Sequence, residues 1–248
     1  MERKDFVPVN EFTARGTVTS ISQSKYGNRV LGLFVRERRE DLNLIINLEG
    51  NVGRGINPYD HITVNGYVKA FRYHNDALDK DSDVLLLVAT SVSRTKPELA
   101  TRFGEDIGKF YPEPFFKGFI SGRVEKRYTP DDSVVGYLRL TTCGGGHDQR
   151  YSHPELRYYL NGRLPAFDYN IGDHVACRFS MRTQERTTKS GTKLQYQNMR
   201  VEDIAYLFKK ERPEKKESKK DFQEEILVDD VLSEVLIPEV SLNEDEPV

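Results

Sequence analysis

The chain has 248 residues, 37% of them hydrophobic, with 37 Lys or Arg against 39 Asp or Glu for a formal net charge of −2. That length holds one large domain or two small ones with proper cores, and the low apolar share leaves part of the chain outside any core. Two cysteines, Cys143 and Cys177, exclude a disulfide framework, and the lack of any apolar run of bilayer length excludes a spanning helix.

In chain order, alternation of apolar and polar residues predicts strands over Phe12–Ser22, Arg29–Glu37, Leu42–Leu48, His61–Tyr73 and Val84–Val92. Thr95–Pro114, with its Pro, Gly and alternating charge, reads as a linker with one helical turn at Glu98–Arg102. A second set of strands follows over Phe116–Tyr128, Val134–Thr141, Leu156–Leu160, His174–Arg186 and Lys193–Ile204. After Phe208 comes the charge-rich spacer KKERPEKKESKKDFQEE and then an acidic end, both expected to be disordered. Residues 221–248 hold ten Asp or Glu and no Lys or Arg, so residues 1–220 carry 37 basic against 39 − 10 = 29 acidic groups, a surplus of 8. A basic body attracts polyanions, and an acidic tail competes for the same surface.

The two sets of strands share short sequence anchors in one order. Gly16–Val18 matches Gly122–Val124 at an offset of 106, and Val30–Phe34 matches Val134–Leu138 at 104. Leu42–Asn47 matches Leu156–Asn161 at 114, and Asp60–Ile62 matches Asp173–Val175 at 113. The jump falls on Thr141–Glu155, TTCGGGHDQRYSHPE, which reads as a Gly-rich surface insertion. The expectation is therefore an all-β chain in which one fold occurs twice. Five strands per copy fit a small coiled barrel of the OB-fold type, since a β-sandwich wants about seven. The implied division is 1–94 for the first OB-fold, 95–114 for the linker, 115–208 for the second OB-fold and 209–248 for the spacer and tail.

The fourth strand of the first copy, HITVNGYVKAFRY, has two chemically distinct faces. Ile62, Val64, Gly66, Val68 and Ala70 make a face to bury, whereas Tyr67, Lys69, Phe71 and Tyr73 point outward. A single strand of nucleic acid offers phosphates and exposed base faces, and cations interleaved with aromatic rings answer both. The competing account packs those rings beneath a connection or in a subunit interface. In the second copy the matching strand turns out Arg178 and Arg182, opposite Val175, Cys177, Phe179 and Met181, and the third strand turns out Arg157 and Tyr159. Lys25-Tyr26 and Lys126-Arg127-Tyr128 recur in the first loop of each copy, and the hairpin Gln184–Lys193, with Lys189, is basic. The second strand stays ambiguous: Arg36 places Phe34 outward in one copy, whereas Arg139 places Tyr137 outward in the other.

Catalytic readings find little support. Cys143, His147, His153, His174 and Cys177 lack a Cys-x-x-Cys pair, and His174 and Cys177 face opposite ways in a strand, so no metal or other cofactor is expected. Gly144–Asp148 lacks the Lys-Ser/Thr of a phosphate-binding loop, and no Ser/His/Asp set is identifiable. No enzyme is expected.

The stretch ITVNGYVKAFRY resembles the fourth strand of bacterial single-stranded DNA-binding proteins, and FTARGTVTSIS is similar to their first. The resemblance covers Phe12–Ser93 and, more weakly, Phe116–Tyr206. It implies a non-catalytic protein that coats and protects single-stranded DNA in replication, recombination or repair. It also implies a homodimer, since two barrels per chain then give the four that such proteins assemble. The acidic end, Glu244-Asp245-Glu246-Pro247-Val248, is similar to the family's partner-docking tail for replication or recombination proteins, except that Val248 stands where the family has an aromatic residue. The start, MERKDFVPVNEF, has no apolar signal core, so the expected setting is the cytoplasm of a bacterial or phage-infected cell, with no membrane partner. The alternatives are an RNA- or tRNA-binding protein on the same fold, or a structural adaptor whose barrels contact other proteins.

Overall fold

The computed structural model describes residues 6–24, 27–36, 41–75, 80–102, 105–131, 133–145, 151–159, 170–187 and 193–209. Alternation drives the first strands. In β1 (Asn10–Gln23) residues Phe12, Ala14 and Val18 are buried, and in β3 (Asp41–Leu48) so are Leu42, Leu44, Ile46 and Leu48. Between them β2 (Arg29–Arg36) turns in Leu31, Leu33 and Val35. β4 (His61–Asn75) buries Ile62, Val64, Val68 and Ala70, and β5 (Lys80–Arg94) buries Leu87 and Ala89.

These strands close a ring. β1 runs antiparallel to β2, β2 to β3, β4 to β5 and β4 to β1, while β3 and β5 are parallel where Ile46 faces Leu87. Closure brings a tight approach at the bulge between Asn65 and Gly66. A Cβ on Gly66 would lie 2.0 Å from the Val88 carbonyl oxygen and 2.9 Å from the Phe12 ring, so the missing side chain admits the neighbouring backbone.

Among the described residues, 95–114 holds a hairpin where the sequence suggested a helical turn. β6 (Glu98–Arg102) pairs antiparallel with β7 (Glu105–Phe110). Five residues gain almost no helical hydrogen bonds, whereas a returning strand supplies partners at once. β8 (Phe115–Tyr128), β9 (Val135–Thr141), β10 (Glu155–Tyr159), β11 (His174–Thr187) and β12 (Lys193–Phe208) then pair in the order of β1 to β5, including a parallel contact of Leu156 with Met199. β1 and β8 run antiparallel from Asn10 opposite Ile120 to Arg15 opposite Phe115, which fuses both rings into one sheet. Phe12 stacks on Phe116 at 5.8 Å and Phe116 meets Phe179 at 5.9 Å, so the core runs through the seam.

The pairings also correct the repeat. The first strands match at 106 and the fourth at 113, as Ala14 opposite Val64 and Ile120 opposite Cys177 require. Val18 faces Leu33 and Val124 faces Leu140, so the second strands match at 140 − 33 = 107, not 104. Ile46 and Leu156 occupy the same place beside β5 and β12, so the third strands match at 156 − 46 = 110, not 114. A change from 104 to an odd offset flips the face of a strand. Phe34 and Tyr137 therefore both point outward, on strands whose inner faces are Leu31, Leu33 and Val35 and Gly136, Leu138 and Leu140.

Candidate nucleic-acid interface

On the first ring, the outer face of β4 is only partly open. Tyr67 sits on that face as alternation requires, yet it is 2% exposed and is not the open platform the sequence suggested. Its hydroxyl donates to Glu49 Oε1 at 2.6 Å, and Gly145 lies flat against its ring. Gly145 has a φ of 71°, and a Cβ there would come 2.3 Å from the ring, so only glycine makes this contact. The cover comes from the β9–β10 connection, part of the insertion that read as surface loop. Asn10 Nδ2 donates to the Val68 and Cys143 carbonyls, Ala70 N donates to Ser152 Oγ at 2.9 Å, and His153 N donates to the Ala70 carbonyl. These bonds take over the β4 edge where its pairing with β1 stops at Gly66. Lys69 is half-buried, and Phe71, beyond the strap, is 40% exposed.

The second ring carries a denser group. A bulge between Val124 and Lys126 turns Lys126 and Tyr128 to the outside. Tyr128 stands opposite Tyr137, and Tyr137 opposite Arg157. The two tyrosine rings stack at 4.9 Å and 8°, with Lys126 Nζ 4.8 Å from the Tyr128 centroid and Arg157 Cζ 5.5 Å from that of Tyr137. One strand on, Arg157 faces Arg200, whose Cζ lies 4.5 Å from the ring of Tyr159, a residue 43% exposed. Arg127 is exposed beside this group, and its Nε donates to Tyr158 Oη at 3.4 Å.

Glu155 is the acid within this cationic face, and its charge is engaged locally. Arg139 Nη2 lies 3.4 Å from Glu155 Oε2, and Tyr128 Oη donates to the same oxygen at 3.3 Å. Burial pushes the Tyr128 phenol above its ordinary range, and the Glu155 carboxylate pushes it further, so the ring stays neutral. Among the described residues, the first ring has no such group. Its matching cross-strand row is Ser22, Val30 and Asn47, where the second ring has Tyr128, Tyr137 and Arg157.

Lys126, Arg127, Tyr128, Arg157 and Tyr159 thus lie together. Arg182, half-buried on β11, stands opposite Asn198 on the strand of Arg200. Arg178 lies elsewhere, opposite Phe119 and 3.4 Å from Glu202. Lys25, Tyr26, Lys189 and the tail residues Glu244, Asp245, Glu246, Pro247 and Val248 fall outside the described residues, as does the side chain of Tyr73. Sequence reasoning used Arg139 only to orient its strand and passed over Arg200. The alternation of buried Met199 and Val201 around Arg200 was the available signal for the latter. Of the described cysteines and histidines, Cys143 Sγ donates to the Pro8 carbonyl, His153 meets Glu125, and Cys177 is buried in the core, whereas His147 lies outside the described residues.

A closed ring in the order β1-β2-β3-β5-β4, with its third and fifth strands parallel, is an OB-fold barrel. Among solved structures, the wild-type single-stranded DNA-binding protein from Thermus aquaticus is similar in fold, with a TM-score of 0.51 at 14% identity over 84% of this chain and 97% of that one. A deletion mutant of the same protein gives a TM-score of 0.48 at 14% identity over 84% of this chain and 99% of that one. Mitochondrial single-stranded DNA-binding proteins from S. cerevisiae give 0.27 at 10% identity over 36% of this chain and 95% of theirs. No protein-family model and no curated protein matches the chain.

Proposed function

We propose that the chain is a non-catalytic single-stranded DNA-binding protein with two OB-folds, acting on exposed strand in replication, recombination or repair. The observation that carries this reading is the outward row Lys126, Tyr128, Tyr137 and Arg157, with Tyr159 and Arg200 beside it. Rings answer base faces and cations answer phosphates, and neither reads a sequence, so the surface suits an unpaired strand of any sequence. The similarity in fold to the Thermus aquaticus protein supports the same reading. Binding is centred on the second ring, with Phe71 and Lys69 as a lesser contribution from the first. The acidic tail serves as a docking segment for partner proteins and the assembled form is a homodimer.

A fluorescence titration with oligo-dT, a matched duplex and a matched RNA oligomer at two salt concentrations tests this. The expected result is preference for the single DNA strand and weaker binding at higher salt, since each phosphate contact on a single strand contributes about 0.7 to the slope of log K against log salt. Equal affinity for duplex, or no affinity at low salt, refutes the reading.

A further inference from the structure

Each ring of the tyrosine pair on β8 and β9 has its partner tyrosine stacked on it and a cation beside it. Two nearly parallel rings 4.9 Å apart cover one face of each other. Lys126 lies over the Tyr128 ring and Arg157 over the Tyr137 ring, and a stacked neighbour already fills the inner sides, which leaves the outer faces to these cations. The row is therefore a closed stack in the order lysine, tyrosine, tyrosine, arginine. Tyr159 differs, with Arg200 over its ring and 43% of its surface exposed.

We propose that Lys126 and Arg157 are placeholders, exchanged for bases when an unpaired strand binds. The inference rests on the proposed function and specifies how the site opens. A strand brings both replacements at once. Its phosphates offer each cation a charge-assisted contact stronger than a ring face, and its bases offer each vacated ring a stacking partner. In the bound state one base caps Tyr128, another caps Tyr137, and the tyrosine pair remains together between them. A flexible lysine on β8 and a half-buried arginine on β10, on either side of β9, can both swing without moving the backbone. In the free protein they shield the rings from water and from other apolar surfaces.

The test compares wild type, K126A, R157A and R157K in oligo-dT titrations across a salt series. The chain contains no Trp, so quenching of tyrosine fluorescence follows binding without a tryptophan background. Each alanine variant is expected to have a log K against log salt slope shallower by about 0.7, because one phosphate contact is gone. At the high-salt end, where phosphate contacts are screened, each is expected to bind about two- to fivefold tighter than wild type, because no cation has to leave a ring. R157K keeps the charge and is expected to keep the wild-type slope. Unchanged slopes in both alanine variants, weaker binding at high salt, or an R157K slope as shallow as that of R157A overturns the exchange while leaving oligo-dT binding intact. A wild type that fails to bind oligo-dT overturns the proposed function, and the exchange with it.

Discussion

Two tyrosines of one chain are expected to respond in opposite ways to the same substitution. Tyr67 is 2% exposed, bonded to Glu49 and covered by Gly145, whereas Tyr159 is 43% exposed with Arg200 over its ring. Truncating a fully buried aromatic side chain to alanine costs about 3–5 kcal/mol. For a chain of this size, roughly 2–4 °C is lost per kcal/mol, so Y67A is expected to lower Tm by roughly 6–20 °C. Its affinity for oligo-dT, measured well below that Tm, stays near wild type. Y159A removes an open platform, so its Tm barely moves. Its affinity falls by about 1–3 kcal/mol, or about 5- to 150-fold in Kd. Y67F isolates the hydroxyl: it keeps the ring beneath Gly145 and loses about 1.5–3 kcal/mol of stability with the bond to the Glu49 carboxylate. Calorimetry and the oligo-dT titration on the same preparations decide the matter. A Y67A protein with unchanged Tm and strongly weakened binding would refute the buried role and return Tyr67 to the binding surface.

Two further outcomes follow from the packing. Ser152 Oγ accepts from Ala70 N and donates to the Val68 carbonyl at a site 1% exposed, so S152A leaves the Ala70 N–H without that acceptor. A loss of about 1–3 kcal/mol is expected in denaturant unfolding, and an unchanged midpoint would show that the strap is dispensable. Burial raises the Cys177 thiol from 9.0 to about 12, so the folded protein holds this proton longer than the unfolded chain does. Its contribution is complete below pH 9 and is lost as pH rises through about 12. Wild type is therefore expected to lose stability above pH 9 more steeply than C177A, and parallel alkaline limbs would contradict this.

Alternation within strands made the core legible: Ile62, Val64 and Val68 on β4 and Val175, Cys177 and Phe179 on β11 are buried as their spacing requires. The first and fourth strands also matched at the offsets that the pairings have. The second and third did not, because short degenerate anchors such as VLGLF and VVGYL slide by a few residues without losing similarity. That slip obscured Tyr137, whose outward direction depends on an odd offset, and with it the centre of the tyrosine row. Tyr67 failed for a different reason. Its strand position was right, but its cover arrives from Gly145, on the other ring, and no local pattern encodes so distant a contact. Alternation marks Arg200 as outward, but placing it beside Arg157 required knowing that β12 lies parallel to β10, a pairing set by topology rather than by either strand alone.

The strap has a consequence for how such a tandem can be divided. Past Gly66 the main chain of β4 is finished by Asn10 from its own ring and by Ser152 and His153 from the other. A fragment ending near residue 94 would present the Ala70 amide and carbonyl as a bare strand edge beside an uncovered Tyr67, a template for unwanted pairing. The first ring borrows part of its boundary from the second, so the two halves are not interchangeable. Grafting this chain into shorter designs means carrying the β9–β10 connection along with residues that lie more than seventy positions before it in the chain.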